Sequence, residues 1–342
     1  MGVTIRKIAS DLNLAVSTVS KALRDSHEIS SETKARVFEY AAKLDYLPNP
    51  YASSLKRRRS GNIAIIVPEV SDTFFSEAIN GIEEVAQRMG YHVMIYLTHE
   101  DVEQEQSIIH NLRNGRVDGI LISVAAGNGE ISQLEDLKIP LVFFDRVPEF
   151  AMATQVVTND CESGYNATRH LIEQGCTRIA FIAPFGNLAI ISNRMKGYVH
   201  ALRDNGMETD PRYIVRCVDT DRETMMILKD LFTTVRPDAI VGSVEKVTMQ
   251  AYAACQELKL SIPDDVKVIG FSHLQIAGLL NPPLTTITQP AYEMGRSAAA
   301  ALFKKLSKKK VEIENEVIEI PSVLIERGST FRERIVDPTF SP

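Results

Sequence analysis

Thr4-Ile-Arg-Lys-Ile-Ala-Ser-Asp-Leu-Asn-Leu-Ala-Val-Ser-Thr-Val-Ser-Lys-Ala-Leu23 reads as two short helices about a tight break. Thr4 is a good N-cap, and Ile5, Ile8, Ala9 and Leu12 follow it at helical spacing. Asn13-Leu14-Ala15 interrupts the pattern, and Val16 to Leu23 resumes it with Val19, Ala22 and Leu23 facing inward. Thr18, Ser20 and Lys21 are short or cationic hydrogen-bonding groups of the kind that meet phosphates and base edges. Such a pair, with small polar residues on the second helix, predicts a helix-turn-helix.

Outward from it, residues 24–29 form a loop. Ser30 or Ser31 caps a third helix with an apolar stripe of Val37, Tyr40, Ala41 and Leu44. Residues 1–47 are therefore expected to be an all-α domain. Leu47-Pro48-Asn49-Pro50 breaks the chain, and Tyr51 to Ser60 is a basic linker with room for a short helix, closed by Gly61. We expect a hinge over 48–61. Residues 1–60 hold 11 of the 38 Lys and Arg but 6 of the 44 Asp and Glu, so a net charge of −6 conceals a basic head on an acidic body. That asymmetry suggests a polyanionic partner for the head alone.

From Asn62 the period changes. Ile63-Ala-Ile-Ile-Val67 is a short continuous apolar run, as in a strand covered on both faces. Helix 75–89, strand 92–97, helix 102–114, strand 119–123, helix 131–137 and strand 141–144 follow. The alternation restarts with helix 163–174, strand 178–183, helix 193–205, strand 213–217, helix 222–233, strand 238–242, helix 247–258 and strand 266–271. Alternating elements predict parallel, doubly wound sheets. The expected core is α/β, with lobe one over about 62–160 and 289–322, and lobe two over about 161–288 and 323–342. Ligands of such sheets lie beyond the carboxyl ends of the strands, here in the cleft between the lobes.

Composition removes several other classes. No apolar stretch approaches a membrane span, and the first twelve residues lack the apolar region of a secretory signal. Cys161, Cys176, Cys217 and Cys255 are scattered, without C-x-x-C or zinc spacing, and read as reduced thiols of a cytoplasmic protein. No metal or cofactor is expected. No G-x-G-x-x-G follows a strand, and Walker, H-E-x-x-H and nucleophile-elbow motifs are absent, so no enzyme is expected. A solute-binding protein would share the two lobes but not the helical head.

The chain also resembles a known family. Thr4 to Ala9, Val16 to Leu23, Ser30-x-x-Thr33, Leu44-Asp-Tyr-Leu-Pro-Asn49 and Ala52-x-x-Leu55 are similar to the lactose-repressor (LacI/GalR) family from residue 4 to 57. In the core, Gly115 to Ile122, Pro140-Leu-Val-Phe-Phe-Asp-Arg146 and Asn281-Pro-Pro-Leu-Thr-Thr-Ile-Thr-Gln-Pro290 resemble its standard segments. The resemblance implies a periplasmic-binding-protein type I-like core and a homodimer that reads a near-palindromic DNA operator, its affinity switched by a small-molecule effector. It implies base reading by Val16 and Ser17, with Lys21 as the next base contact. Thr4, Thr18, Ser20, Ser30 and Thr33 match phosphate-contacting positions. Asn49, Ala52, Leu55 and Lys56 fall on the hinge's DNA side, Leu55 as the minor-groove wedge. Ala15 departs from the pattern, which commonly has a capping serine there.

For the cleft, the resemblance places Phe74 and Phe75 at the mouth, with Asp145 and Arg194 as polar ligand groups. Glu245 and Ser272 stand where many sugar-binding members have aspartates, and Thr158-Asn159 replaces a usual Asp-Asn. A carbohydrate or related metabolite is the expected effector, with a hexose in the usual pose in doubt; control by a protein partner is the alternative. The tail Phe331 to Pro342 carries no leucine heptads, so a dimer is expected, without a tetramerising coil.

Overall fold

The computed structural model describes residues 4–23, 25–46, 59–127, 139–148, 151–186, 188–218, 220–307 and 315–331. The expected helix 131–137, most of the hinge (with Asn49, Ala52, Leu55 and Lys56) and the tail beyond Phe331 lie outside them. The chain divides into two compact units, residues 1–60 and 61–342.

The first unit is helical: α1 Ile5–Asp11, α2 Val16–Ala22 and α3 Ser31–Lys43. Ile8, Ala9, Val19, Ala22, Val37 and Ala41 make its small core. The capping is local. Thr4 Oγ1 accepts from Lys7 N at 3.3 Å, and Ser30 Oγ accepts from Thr33 N at 3.3 Å. Ala15 precedes α2 without a side-chain cap, so α2 lacks a contact worth about 1 kcal/mol in other helices. Asn13, at φ 53°, makes the left-handed turn between α1 and α2, a conformation that asparagine tolerates.

The second unit holds two six-stranded sheets. Lobe one contains β1 Asn62–Val67, α4 Thr73–Arg88, β2 His92–Leu97, α5 Val102–Leu112, β3 Gly119–Ile122, β4 Leu141–Phe144 and β5 Thr154–Val157. Lobe two contains α6 Asp160–Glu173, β6 Ile179–Ala183, α7 Ala189–Asp204, β7 Ile214–Arg216, α8 Asp221–Asp230, β8 Ala239–Gly242, α9 Glu245–Leu258, β9 Lys267–Phe271 and β10 Thr285–Thr288. The chain then returns to lobe one through α10 Ala291–Ser307 and β11 Val317–Glu319, and to lobe two through β12 Val323–Ile325. The strand orders are β11-β5-β4-β3-β1-β2 and β12-β10-β9-β8-β6-β7. All pairs are parallel except β10 with β12. The order reverses between β1 and β3 in one sheet and between β6 and β8 in the other, so both switch points open at the strands' carboxyl ends.

The differences from expectation have physical causes. Helices α4, α6, α7 and α9 begin two to four residues earlier than their apolar periodicity shows. The first turns of α4, α6 and α9 carry polar groups such as Thr73, Asp160 and Glu245, which an amphipathic pattern does not register, while α7 opens on Ala189, Ile190 and Ile191. No continuous apolar run marks β5, β10 or β11, which mix Thr, Gln or Glu with their apolar residues, β12 is only three residues long, and α10 is buried on several sides around Ala298, Ala299 and Ala301. Helix α8 stops at Asp230, and a wider turn, Leu231–Val235, carries the chain to a left-handed Arg236.

Candidate nucleic-acid interface and ligand cleft

On α2, burial of Val19 and Ala22 turns the opposite face outward. Val16 is 44% exposed, an apolar side chain left in water on a seven-residue helix. Ser17 beside it is exposed, while Thr18, Ser20 and Lys21 are half-buried. This face offers a methyl-contacting valine, a hydroxyl and an ammonium within two helical turns, a combination that suits base edges in a major groove. The Lys21 ammonium is paired with Glu28 in the following loop, and Glu28's carboxyl is thereby held below its usual range. Lys34 pairs with Asp25 at 2.7 Å. Ser30 and Thr33 bond to each other at 3.0 Å at the start of α3.

In the core, Phe74, Phe75, Asp145, Arg194, Glu245 and Ser272 line one cavity, together with Asp72, Arg146, Ile190, Val244, Phe271, His273 and Gln289. They lie at or just beyond strand ends and at the first turns of α4, α7 and α9. Asp145 follows β4 with φ 59°, and its N–H donates to Val156 O at 2.9 Å. Gln289 Nε2 donates to Asp145 Oδ1 at 3.2 Å. Burial pushes the Asp145 carboxyl up to about 6, against the opposing charges of Arg146 and Arg194. Arg194 is 2% exposed. Its Nε donates to Asp160 Oδ1 at 2.7 Å, its Nη1 donates to Ser243 O at 2.6 Å, and its guanidinium lies 4.1 Å from the Phe271 ring centre. Two of its three nitrogens therefore serve lobe two itself, and Nη2 has no hydrogen-bond partner among the described residues.

The aromatic pair lines the cavity and also packs inward. Phe74 and Phe75 meet edge to face at 5.3 Å and both belong to the lobe-one core. Arg146 covers Phe75 at 5.4 Å, so that ring face is already taken. Asp72, Ile190, Val244 and Gln289 escape a sequence reading. Asp72 carries a signal, as the N-cap of α4 with Oδ1 accepting from Phe74 N at 2.8 Å; Gln289 has only its place before Pro290.

The lobes touch across the cleft. Thr73 Oγ1 donates to Glu245 Oε2 at 3.3 Å, Gln275 Nε2 donates to Glu77 Oε1 at 3.1 Å, and Ala126 packs on the lobe-two core. The cavity measures about 40 Å³. Small-molecule pockets run from roughly 300 to 1,000 Å³, so a metabolite enters only if the lobes part. A wider groove of about 600 Å³ lies beside α4 and α10, lined by Val85, Met89 and Phe303. It is far from the strand ends, and its Arg88, Arg296 and Lys304 are paired with Glu84, Glu293 and Glu316.

At the rim, Glu105 Oε2 accepts from Ala125 N at 2.7 Å and Glu100 Oε2 from Ala126 N at 2.8 Å. Burial pushes the Glu105 carboxyl up to about 7 from 4.5, the Ala125 N–H opposing. A carboxyl raised in the fold favours folding below its unfolded value and loses that contribution as pH climbs through the folded value. Between pH 4.5 and 7, Glu105 is expected to remove up to about 3 kcal/mol of stability. Glu105→Gln should flatten that part of the profile in denaturant titrations at several pH values. A profile unchanged by the substitution would exclude Glu105 as its source.

Among the described residues, no group of three or more His, Cys, Asp or Glu side chains could hold a metal. Cys176, Cys217 and Cys255 are buried, with thiols pushed up by burial to about 11, 11 and 12, which makes them poor nucleophiles. No helix among the described residues is long and apolar enough to cross a membrane.

Comparison with known proteins agrees with both halves. A model of bacterial regulatory proteins, lacI family, matches residues 4–49, and one of the periplasmic binding protein-like domain matches residues 168–330. The HTH-type transcriptional repressor CytR of Escherichia coli (strain K12) is 32% identical over 332 residues, 96% of each chain. The HTH-type transcriptional repressor PurR of Aliivibrio fischeri (strain MJ11) is 28% identical, over 95% of this chain and 98% of the relative. The lac repressor dimer bound to operator and the anti-inducer ONPF shares the fold, with TM-score 0.86 at 20% identity over 97% of this chain and 100% of that one.

Proposed function

The chain belongs to the lacI family of bacterial regulatory proteins, and we propose from that premise that it is a DNA-binding repressor controlled by an effector. The observation that carries this reading is the exposed surface of α2, where Ser17 and Lys21 stand opposite a buried Val19 and Ala22 and the 44% exposed Val16 flanks them. In the reading, Val16, Ser17 and Lys21 contact bases in the major groove, while Thr4, Thr18, Ser20, Ser30 and Thr33 hold phosphates. A homodimer places two such heads on a near-palindromic cytoplasmic operator. The hinge, with Asn49, Ala52, Leu55 and Lys56, orders on the DNA, Leu55 wedging the central step.

The core senses rather than catalyses. A carbohydrate or related metabolite binds Asp145, Arg194, Glu245 and Ser272 between the lobes. Lobe closure then couples to operator affinity through the difference in effector affinity between open and closed forms. The small cavity supports a second reading, in which a protein partner sets the core's state; calorimetry against a metabolite panel separates the two.

The primary test is selection of bound sequences from a random duplex pool, with and without a carbohydrate and nucleoside mixture. Enrichment of a near-palindrome with a flexible central pyrimidine–purine step is the expected result. On the selected site, Lys21→Ala should cost about 1–3 kcal/mol and relax one base position in each half-site. Failure to enrich any sequence, even with cell extract added, overturns the reading.

A further inference from the structure

Two carboxylates in the cleft have no ion-pair partner among the described residues, although the charge of Arg146 acts on one of them, Asp72. Asp72 caps α4 in lobe one, Glu245 opens α9 in lobe two, and both line the same cavity. Asp72 Oδ1 accepts from Phe74 N. Glu245 Oε2 accepts from Ser272 Oγ at 2.6 Å and from Thr73 Oγ1 at 3.3 Å. Among the described residues, Asp72 Oδ2 and Glu245 Oε1 receive no hydrogen bond, and neither carboxylate joins an ion pair. The two arginines of the cavity each form an ion pair with another carboxylate, Arg146 with Glu100 at 2.6 Å and Arg194 with Asp160 at 2.7 Å. Burial, then the nearby charges of Glu245 and Glu69, hold the Asp72 carboxyl above its usual range. Two like charges in a shielded cleft repel each other, and a ligand that brings donors or a positive charge relieves the repulsion.

An independent feature calls for a ligand with an acceptor as well. Arg194, almost wholly buried in the same cavity, keeps Nη2 without a hydrogen-bond partner among the described residues. A buried guanidinium N–H left unpaired costs free energy that an incoming oxygen recovers. Among the described residues, the cleft thus presents acceptors without a hydrogen bond at Asp72 and Glu245 and donors without one at Arg194 Nη2 and Arg146 Nε, with Phe74 as apolar wall.

We propose that the effector carries an amino group, either an ammonium or an exocyclic amine, that donates to Glu245 and Asp72, and a hydroxyl or carbonyl oxygen that accepts from Arg194 Nη2. This rests on the reading of the cleft as the effector site and narrows it. A hydroxyl brings one donor, whereas an amine brings two or three, enough for both open carboxylate oxygens.

The test is calorimetry of the full chain with matched pairs that differ at the amine: glucosamine against glucose, and adenosine against inosine. The amine-bearing member of at least one pair is expected to bind about tenfold tighter or better, the gain of a charge-assisted hydrogen bond. Glu245→Gln and Asp72→Asn should erase that preference. Glutamine keeps an acceptor for Ser272 and asparagine keeps the α4 cap, so both variants should match the parent in circular dichroism and melting. Equal binding of the two members within both pairs, or a preference that survives in both variants, overturns the amine assignment and leaves the effector cleft standing. Binding by none of the four compounds counts against the cleft as a site for these metabolite classes, and the assignment falls with it.

Discussion

Gly197→Ala is expected to destabilise lobe two by about 3 kcal/mol, at the upper end of what overpacking costs. A Cβ at this position would lie 2.0 Å from Cys161 O and 2.5 Å from Tyr165 N. The facing glycine is as tight: a Cβ on Gly164 would lie 2.1 Å from Arg194 O. These neighbours are backbone atoms, so no rotamer change relieves the clash, and α6 and α7 must separate. Separation uncovers Ala167, Leu171, Ile191, Tyr198 and Leu202, which the crossing helps to bury. Lobe one repeats the device between α4 and α10, where a Cβ on Gly81 would meet Tyr292 O at 2.1 Å and one on Gly295 would meet Ala78 O at 2.0 Å. Gly206→Ala is the control. Gly206 has φ 72° and open space around it, so alanine there should cost only the left-handed strain of about 1 kcal/mol. The chain has no tryptophan, so guanidinium unfolding is followed by circular dichroism. Equal losses at 197 and 206 would show that the helix crossing is not the constraint.

Arg194→Met should cost a further class of stability, about 3–5 kcal/mol, because it strands a buried charge. Asp160 is 6% exposed and takes its ion pair from Arg194 Nε, and Ser243 O takes Nη1. Methionine fills much of the volume and keeps contact with Phe271, which separates loss of charge from loss of packing. The double variant Arg194→Met with Asp160→Asn should regain a large part of the stability, since no uncompensated carboxylate remains. Arg194→Lys should not restore it, because an ammonium cannot reproduce the fork that reaches Asp160 and Ser243 together. Thermal melts of the three variants decide the matter. A double variant no more stable than Arg194→Met would assign the cost to shape.

These two predictions mark different depths of legibility. The exposed face of α2 was readable because it is local: a cap at Thr4, a break at Asn13, and apolar residues at helical spacing define it within about twenty residues. The alternation of apolar runs and helices from Ile63 to Phe271 was readable for the same reason, and with it the parallel sheets and the cavity at their carboxyl ends. The helix crossings were not, because a glycine inside a helix shows no local sign of the backbone it touches. Nor was the burial of Phe75 under Arg146 visible, since a mouth residue and a core residue have the same side chain.

What the sequence by itself determined is therefore the helix-turn-helix, the two parallel α/β lobes and the residue types gathered at the strand ends, all carried by periods of two or 3.6 and by capping chemistry. What only the tertiary structure decided is which distant groups meet. Glu245 reaches Thr73 across 172 positions and Gln289 reaches Asp145 across 144. The segment after residue 290 crosses back so that β11 joins one sheet and β12 the other. Hydrophobic periodicity states that a face will be covered. Burial and the pairing of polar groups in three dimensions decide what covers it, and no local pattern records those partners.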